Sequence, residues 1–183
     1  MRHEQQINEV LDFWFNKCDP KQWFFKDDAF DEKLKNQFEK WVEKALAGQL
    51  DSWAETRDGT LALILLLDQM TRNIYRGTPK AFSGDEMALA LSLKGAANGY
   101  LDELDEFRCQ FLLMPMMHSE QIDVQNNSLP LFKKYTHEMT YEYAIKHQVI
   151  IERFGYFPHR NAILGRPTSA EEEVFLQGPD SSF

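Results

Sequence analysis

Polar residues able to do chemistry first gather directly after an apolar run at positions 61–67. They are Asp68, Gln69, Arg72, Asn73, Arg76 and Asp85. Asp68, Arg72 and Arg76 follow one another at intervals of four, so that on a helix they share one face. Charges that emerge from a buried helix must be paired or must line a cavity. The stretch therefore predicts either an ion-pair network at a helix end or one side of a ligand-binding site.

A second group spans residues 153–161. There Arg153, His159, Arg160 and Asn161 alternate with aromatic residues around a glycine and a proline. Residues 69–84 and 153–167 each carry three basic residues and no acidic one. Arginine forms paired hydrogen bonds with carboxylate and phosphate groups. If the fold brings the two stretches together, we expect a positive pocket for a small anion. The alternative is a packed turn whose arginines extend into solvent.

A third group is the tripeptide His118-Ser119-Glu120. His118 could act as a general base with Glu120 or Asp123 orienting it, although a histidine beside an apolar run is commonly a core residue. A serine triad built on Ser119 lacks the nucleophile elbow. A metal set drawn from His118, Glu120 and the aspartates lacks the spacing of known motifs, so no metal site is predicted. Neither a Walker loop nor GxGxxG is present, and no cofactor is predicted.

The elements that must position these groups are helices. Apolar residues recur at helical intervals along the chain, and no segment alternates as a strand does. We expect an all-α antiparallel stack of about seven to nine helices. A long helical pattern runs from about residue 131 to 154, and the last helix begins at Thr168, where Thr168 and Glu171 form a capping box. Residues 1–178 are predicted to be one domain and residues 179–183 a frayed tail.

The composition limits the classes of function. The chain has 183 residues, which suits one domain, and a net charge of -9, which disfavours nucleic acid and anionic membrane as partners. Cys18 and Cys109 suggest no disulfide framework. The N-terminus has no apolar signal core, and the longest apolar run is too short to span a membrane. We expect a cytoplasmic protein whose oligomeric state the sequence does not define.

Four motifs resemble the bacterial DUF924 family. They are VLDFWF (10–15), LLLDQMTRNIYRG (65–77), MPMMHSE (114–120) and RFGYFPHRNAILGR (153–166). The similarity runs from about residue 9 to 176. It implies a tetratricopeptide-like all-α superhelix and brings no established activity. The family usually reads FGRFPHRN, whereas this chain has Tyr156 in place of that arginine, which puts in doubt any role that needs an arginine there.

Two functions and one structural alternative remain open. In the first, Arg72, Arg76, Arg153 and Arg160 hold a small anion, Asn73 and Asn161 orient it, and His118 with Glu120 transfers a proton if there is catalysis. In the second, a tetratricopeptide-like module binds a peptide on its concave face by clamping the terminal carboxylate. In the third, the polar residues form an internal network that fixes the helix stack. The sequence does not decide whether the protein is an enzyme.

Overall fold

The chain folds entirely into helices and their connections, as a computed structural model describing residues 2–183 shows. No β-strand occurs in this range, so the all-α prediction is confirmed. The α-helical segments are α1 (Arg2–Asp12), α2 (Asp28–Leu46), α3 (Arg57–Ile64), α4 (Thr71–Ile74), α5 (Asp85–Ala97), α6 (Glu106–Met117), α7 (Ile122–Tyr135), α8 (Glu138–Phe154), α9 (Asn161–Leu164) and α10 (Ala170–Leu176). Short 3₁₀ turns cover Pro20–Trp23, Asp51–Glu55, Pro79–Phe82, Tyr100–Asp102 and Pro158–Arg160.

The central element is a continuous helical rod made of α3, a π-helical segment (Leu65–Met70) and α4. Counting this rod once leaves nine separate helices among the described residues, within the predicted number. Every residue from Gly59 to Thr71 is buried. The rod is surrounded by α1, α2, α5 and α6, which explains why its sequence is apolar on every side.

Helices α5 to α8 stack in chain order, each against the next. The contact between α5 and α6 is close because Gly95 faces Leu112, whose methyl carbon would lie 3.2 Å from any added Cβ. Beside it, Ser92 Oγ donates to the Leu112 carbonyl at 2.5 Å. This order of packing is that of an antiparallel helix stack; the tetratricopeptide-like superhelix stays a prediction. None of the described helices is long and apolar enough to cross a membrane.

Two helix boundaries differ from the sequence prediction. The expected long helix over residues 131–154 is divided, because Thr136 leaves the helical conformation and both its backbone N–H and its hydroxyl bond the Phe132 carbonyl. The predicted capping box at Thr168 and Glu171 lies one residue further on, where Ser169 and Glu172 cap α10 reciprocally. Glu171 is thereby left at the surface while the side chain of Glu172 turns inward.

The residues after α10 lie against α8. Asp180 pairs with Lys146 at 3.0 Å. Ser181 is buried, and its hydroxyl donates to two backbone carbonyls of the preceding turn. The ring of Phe183 stacks on His147, with 4.0 Å between the ring centroids. Residues 179–183, for which the sequence predicts fraying, thus make defined contacts near the candidate site.

Candidate functional site

Asp68 lies at the centre of the candidate site, within the π-helical segment and fully buried. Its Oδ1 is 2.8 Å from Nδ1 of His118 and 3.1 Å from Nη1 of Arg72, and its Oδ2 accepts from Gln69 at 2.6 Å. Burial raises the pKa of Asp68, but His118 and Arg72 lower it by more, so the net pKa lies well below the usual range. The carboxylate is therefore ionised at neutral pH.

Arg72 links Asp68 to the start of α5. Its guanidinium makes two parallel hydrogen bonds with Asp85, at 2.8 and 3.0 Å, and a third with the Asp68 carbonyl at 2.7 Å. The sequence allows this approach because Gly84 lies directly against the rod: a Cβ there would be 2.2 Å from the Leu67 carbonyl oxygen. The predicted i, i+4 pair of Asp68 and Arg72 is thus present, with Asp85 as an additional partner.

Arg160 comes from the turn after α8, which Gly155 redirects with a φ of 77°. Its Nη2 donates to the His118 carbonyl at 3.0 Å, and its Nη1 is 3.6 Å from Asp85. Its guanidinium lies 4.7 Å from the ring centroids of both Phe82 and Phe157. Burial, followed by the proximity of Arg72, lowers the pKa of Arg160 to about 10, so it remains a cation at neutral pH.

Arg160 is the one arginine of this cluster with a buried donor left over. Its Nε is buried and has no hydrogen-bond partner within the described part of the chain. An unpaired buried donor costs roughly 1–3 kcal/mol, so such groups usually have a reason to exist. The cluster is neutral overall, because two carboxylates balance two guanidiniums. These groups belong to Asp68, Asp85, Arg72 and Arg160.

His118 is held in place through its own backbone and that of its neighbours. Gln125, fully buried, donates to the carbonyls of Met117 and Ser119 at 2.7 and 2.8 Å, while Arg160 binds the carbonyl between them. Burial lowers the pKa of His118; Asp68 raises it and the two arginines lower it again, and the net pKa is below the usual value. We therefore assign a neutral ring that donates Nδ1–H to Asp68. Its Nε2 makes no hydrogen bond to any described residue.

Glu120 belongs to a second network beside the first. Arg166 donates two hydrogen bonds to its carboxylate, at 2.9 and 3.0 Å, and the Phe157 N–H donates a third at 2.9 Å. Burial raises the pKa of Glu120 and these partners lower it by more, so it is ionised. Asn161 accepts from Arg166 at 3.0 Å. The prediction that Glu120 orients His118 is not what the structure shows: Asp68 holds that position.

Tyr156, the departure from the usual family pattern, lies at the edge of this second network. Its hydroxyl donates to Glu172, which also accepts from Asn161. The guanidinium of Arg166 lies 4.6 Å from the Tyr156 ring centroid. The tyrosine therefore shares the surroundings of Asn161 and does not contact His118 or Asp68 directly.

Two further histidines lie behind His118. His147 of α8 is 6.2 Å from it between ring centroids, and His159 is 5.6 Å from the Phe157 ring, again between centroids. Burial, then the positive neighbours, lowers the pKa of His147 to about 3 and that of His159 to about 4. Nδ1 of His159 is buried without a partner among the described residues.

Several predicted ligand contacts lie elsewhere, which corrects the expected four-arginine pocket. Asn73 and Arg76 both bind Asp31 of α2, at distances of 2.7 to 3.0 Å. Arg153 is half exposed and pairs with Glu171 at 2.7 Å. Asn73 lies one residue beyond Arg72 on the helix and so faces α2 rather than α5. Arg76 lies beyond the end of α4 at Ile74, where an interval of four no longer keeps it on the face of Arg72.

Two surface clefts, of about 450 and 530 Å³, lie along α1 and share Asn8, Arg57 and Asp58. Neither is lined by a residue of the cluster. The cluster around His118 is the stronger candidate, because the clefts hold paired surface charges whereas the cluster combines buried charge with an unpaired donor and an unpaired acceptor. In the described chain, no group of three or more His, Cys, Asp or Glu side chains is arranged to hold a metal ion.

Comparisons with known proteins agree with this architecture. Residues 10–180 match the family described as "Bacterial protein of unknown function (DUF924)". The chain belongs to the DUF924 family. It is similar to the solved structure of a protein of unknown function, ATU0120 from Agrobacterium tumefaciens, with 35% identity, 96% of this chain and 99% of that chain covered, and a TM-score of 0.90. No curated protein matches the chain.

In this DUF924 protein, the sequence predicted many of the cluster residues but missed several that complete it. Asp68, Gln69, Arg72, Asp85, His118 and Arg160 are brought together, with His159 beside them. Gln125, His147 and Arg166 were not predicted. Arg166 carried a signal, since it ends the basic stretch 153–167, whereas Gln125 and His147 lie on the inward faces of helices where nothing local distinguishes them.

Proposed function

We propose that the protein binds a small carboxylate or phosphate anion at the cluster of His118 and Arg160, with Asp68 orienting His118 for proton transfer. The observation that carries the proposal is the buried Nε of Arg160, a charged donor with no partner in the described chain, close to a histidine whose Nε2 is equally unused. An oxyanion would accept from Arg160 directly, and from Nε2 of His118 once that nitrogen has taken up a proton. The dyad of Asp68 and His118 has the geometry of a general base and its orienting carboxylate.

The charge balance of the site supports a proton-linked binding event. The four charged side chains of the cluster cancel, so an incoming anion would leave one uncompensated negative charge. A nearby anion raises the pKa of a histidine. His118 therefore takes up a proton when the anion binds, and becomes a second donor to it. This coupling distinguishes a binding site from a purely structural ion-pair network, which would show neither effect.

The test is isothermal titration calorimetry with acetate and with inorganic phosphate between weakly acidic and weakly basic pH. Titrations in two buffers of different ionisation enthalpy give the number of protons taken up, which we expect to approach about one per anion. Arg160→Met should abolish binding. His118→Gln should retain weaker binding without proton uptake. Arg153→Gln is the matched control, because it removes a surface arginine already paired with Glu171, and it should behave as the wild type.

Unchanged affinity in Arg160→Met, or no heat from either anion with the wild-type protein, would contradict the proposal and favour the internal network. The peptide-binding alternative is less well supported, because the unpaired groups of Arg160 and His118 lie in one cluster, whereas a peptide-binding array spreads its contacts over several repeats. As part of the proposal we place the protein in the cytoplasm. Cys18 and Cys109 are both buried free thiols, which a reducing compartment preserves.

A further inference from the structure

His147 is a buried residue with a hydrogen-bond acceptor that the proposed anion site does not yet use. Only 4% of the residue is exposed. Its Nδ1 lies 2.7 Å from the carbonyl oxygen of Tyr143, one turn earlier in α8. A carbonyl oxygen can only accept, so Nδ1 must carry the proton. In the neutral ring Nε2 is then a bare lone pair, and it makes no hydrogen bond to the residues that the structure describes.

His147 stays neutral when an anion binds, whereas His118 then takes up a proton. No carboxylate bonds the ring of His147, and burial, His118, His159 and Arg160 act together to keep its pKa near 3. His118 has Asp68 as its partner and gains a proton when an anion arrives. The two imidazoles thus offer different groups to one ligand: a donor at Nε2 of His118 and an acceptor at Nε2 of His147. Their ring centroids are 6.2 Å apart, a gap that a molecule of a few heavy atoms can bridge.

The surroundings leave the edge of the His147 ring available. Phe183 stacks on the ring face, with an interplanar angle of 28°, and Phe157 meets it edge-on at 5.5 Å between centroids. A hydrogen bond to Nε2 lies in the ring plane and so avoids the stacked ring of Phe183. Phe157 also contacts Arg160, at 4.7 Å, which places the acceptor of His147 and the arginine with the unpaired Nε around one aromatic ring.

We infer that the ligand is a small hydroxy acid, whose anionic group contacts Arg160 and His118 and whose hydroxyl group donates to Nε2 of His147. This inference rests on the anion site proposed above and adds the class of ligand. A hydroxyl group placed against Nε2 forms a hydrogen bond that an analogue lacking the hydroxyl cannot form. Acids of the same size with and without the hydroxyl group should therefore bind with different affinities.

The experiment compares glycolate with acetate, and lactate with propionate, by calorimetry at neutral pH. We expect each hydroxy acid to bind roughly tenfold more tightly than its partner, or better. In His147→Phe, which keeps an aromatic ring but removes the acceptor, the ratio should fall to about one. The control Arg153→Gln should keep the ratio of the wild type. Equal binding of both members of each pair by the wild type overturns the inference and leaves the anion site standing. No binding of any of the four acids overturns both.

A second measurement does not depend on the variant folding. Nitrogen chemical shifts from ¹⁵N-histidine-labelled protein report which ring nitrogen carries the proton. We expect His147 to show a protonated Nδ1 and a bare Nε2 in the free protein, and a shift of Nε2 on addition of glycolate but not of acetate. A protonated Nε2 in the free protein, or the same response to both acids, would refute the assignment.

Discussion

Removing His147 should make the protein less sensitive to acid. In the folded state its pKa is about 3, against 6.5 for the ordinary side chain, because the ring is buried among positive neighbours. The unfolded chain therefore binds this proton first as the pH falls. The associated stability is complete above about pH 6.5 and is lost progressively as the pH falls towards 3.

The size of the effect follows from that difference in pKa. Between about pH 6.5 and pH 3, each pH unit lowers the free energy of unfolding by about 1.4 kcal/mol. Lowering the pH from about 7 to about 5 should therefore reduce it by about 2 kcal/mol through His147 alone. In His147→Gln the side chain does not titrate, and its amide retains a donor for the Tyr143 carbonyl. The loss between the two pH values should then be smaller by about 2 kcal/mol, whatever the variant's stability at neutral pH.

Urea denaturation followed by circular dichroism at about pH 7, 6 and 5 measures this difference as a free energy of unfolding. The control is His137→Gln, in which an exposed imidazole is removed and His147 is retained, so the full acid loss should persist. If wild type and His147→Gln lose the same free energy over this range, the ring is not buried as a neutral base, and its assignment as an acceptor is refuted as well.

Two further predictions concern stability at neutral pH. Arg72→Met should lower the free energy of unfolding by about 3–5 kcal/mol, because the fully buried carboxylate of Asp68 then lacks a cationic partner. Arg153→Met should lower it by less than about 1 kcal/mol, because the ion pair that it removes is exposed. Urea denaturation distinguishes the two, and equal losses would show that the cluster is more solvated than its burial indicates. Gly84→Ala should lower the free energy of unfolding by at least about 1–3 kcal/mol, because the new Cβ would lie 2.2 Å from the Leu67 carbonyl oxygen. A melting temperature equal to that of the wild type would contradict this prediction.

Sequence patterns predicted the contacts of the site that join residues close together in the chain. The interval of four between Asp68 and Arg72 is enough to predict their ion pair, and the apolar run before them is enough to predict a buried rod. The bond between Asp68 and His118 joins residues 50 positions apart, and no property of either stretch specifies it. The π-helical segment that carries Asp68 is also invisible in the sequence, because it depends on packing and not on residue type.

The expected excess of positive charge shows a more general limit. Residues 69–84 and 153–167 contain no acid, and this absence suggested cations free to hold an anion. The structure supplies acids from distant parts of the chain: Asp31 pairs with Arg76 across 45 positions and Glu120 with Arg166 across 46. A charge count along the chain measures only neighbours in sequence. What distinguishes Arg160 is a buried donor without a partner, which only three-dimensional contacts reveal.

The π-helical segment Leu65–Met70 has a consequence for comparing relatives. A π turn closes its hydrogen bonds over five residues and so holds one residue more than an α turn. Deleting a residue from an ordinary α-helix rotates everything beyond it by about 100°. Deleting one here would restore α-helical bonding and leave the faces of α3 and α4 as they are, while shifting Asp68 away from His118. A relative aligned with a single gap at these positions would therefore keep the helix stack and lack the dyad of Asp68 and His118.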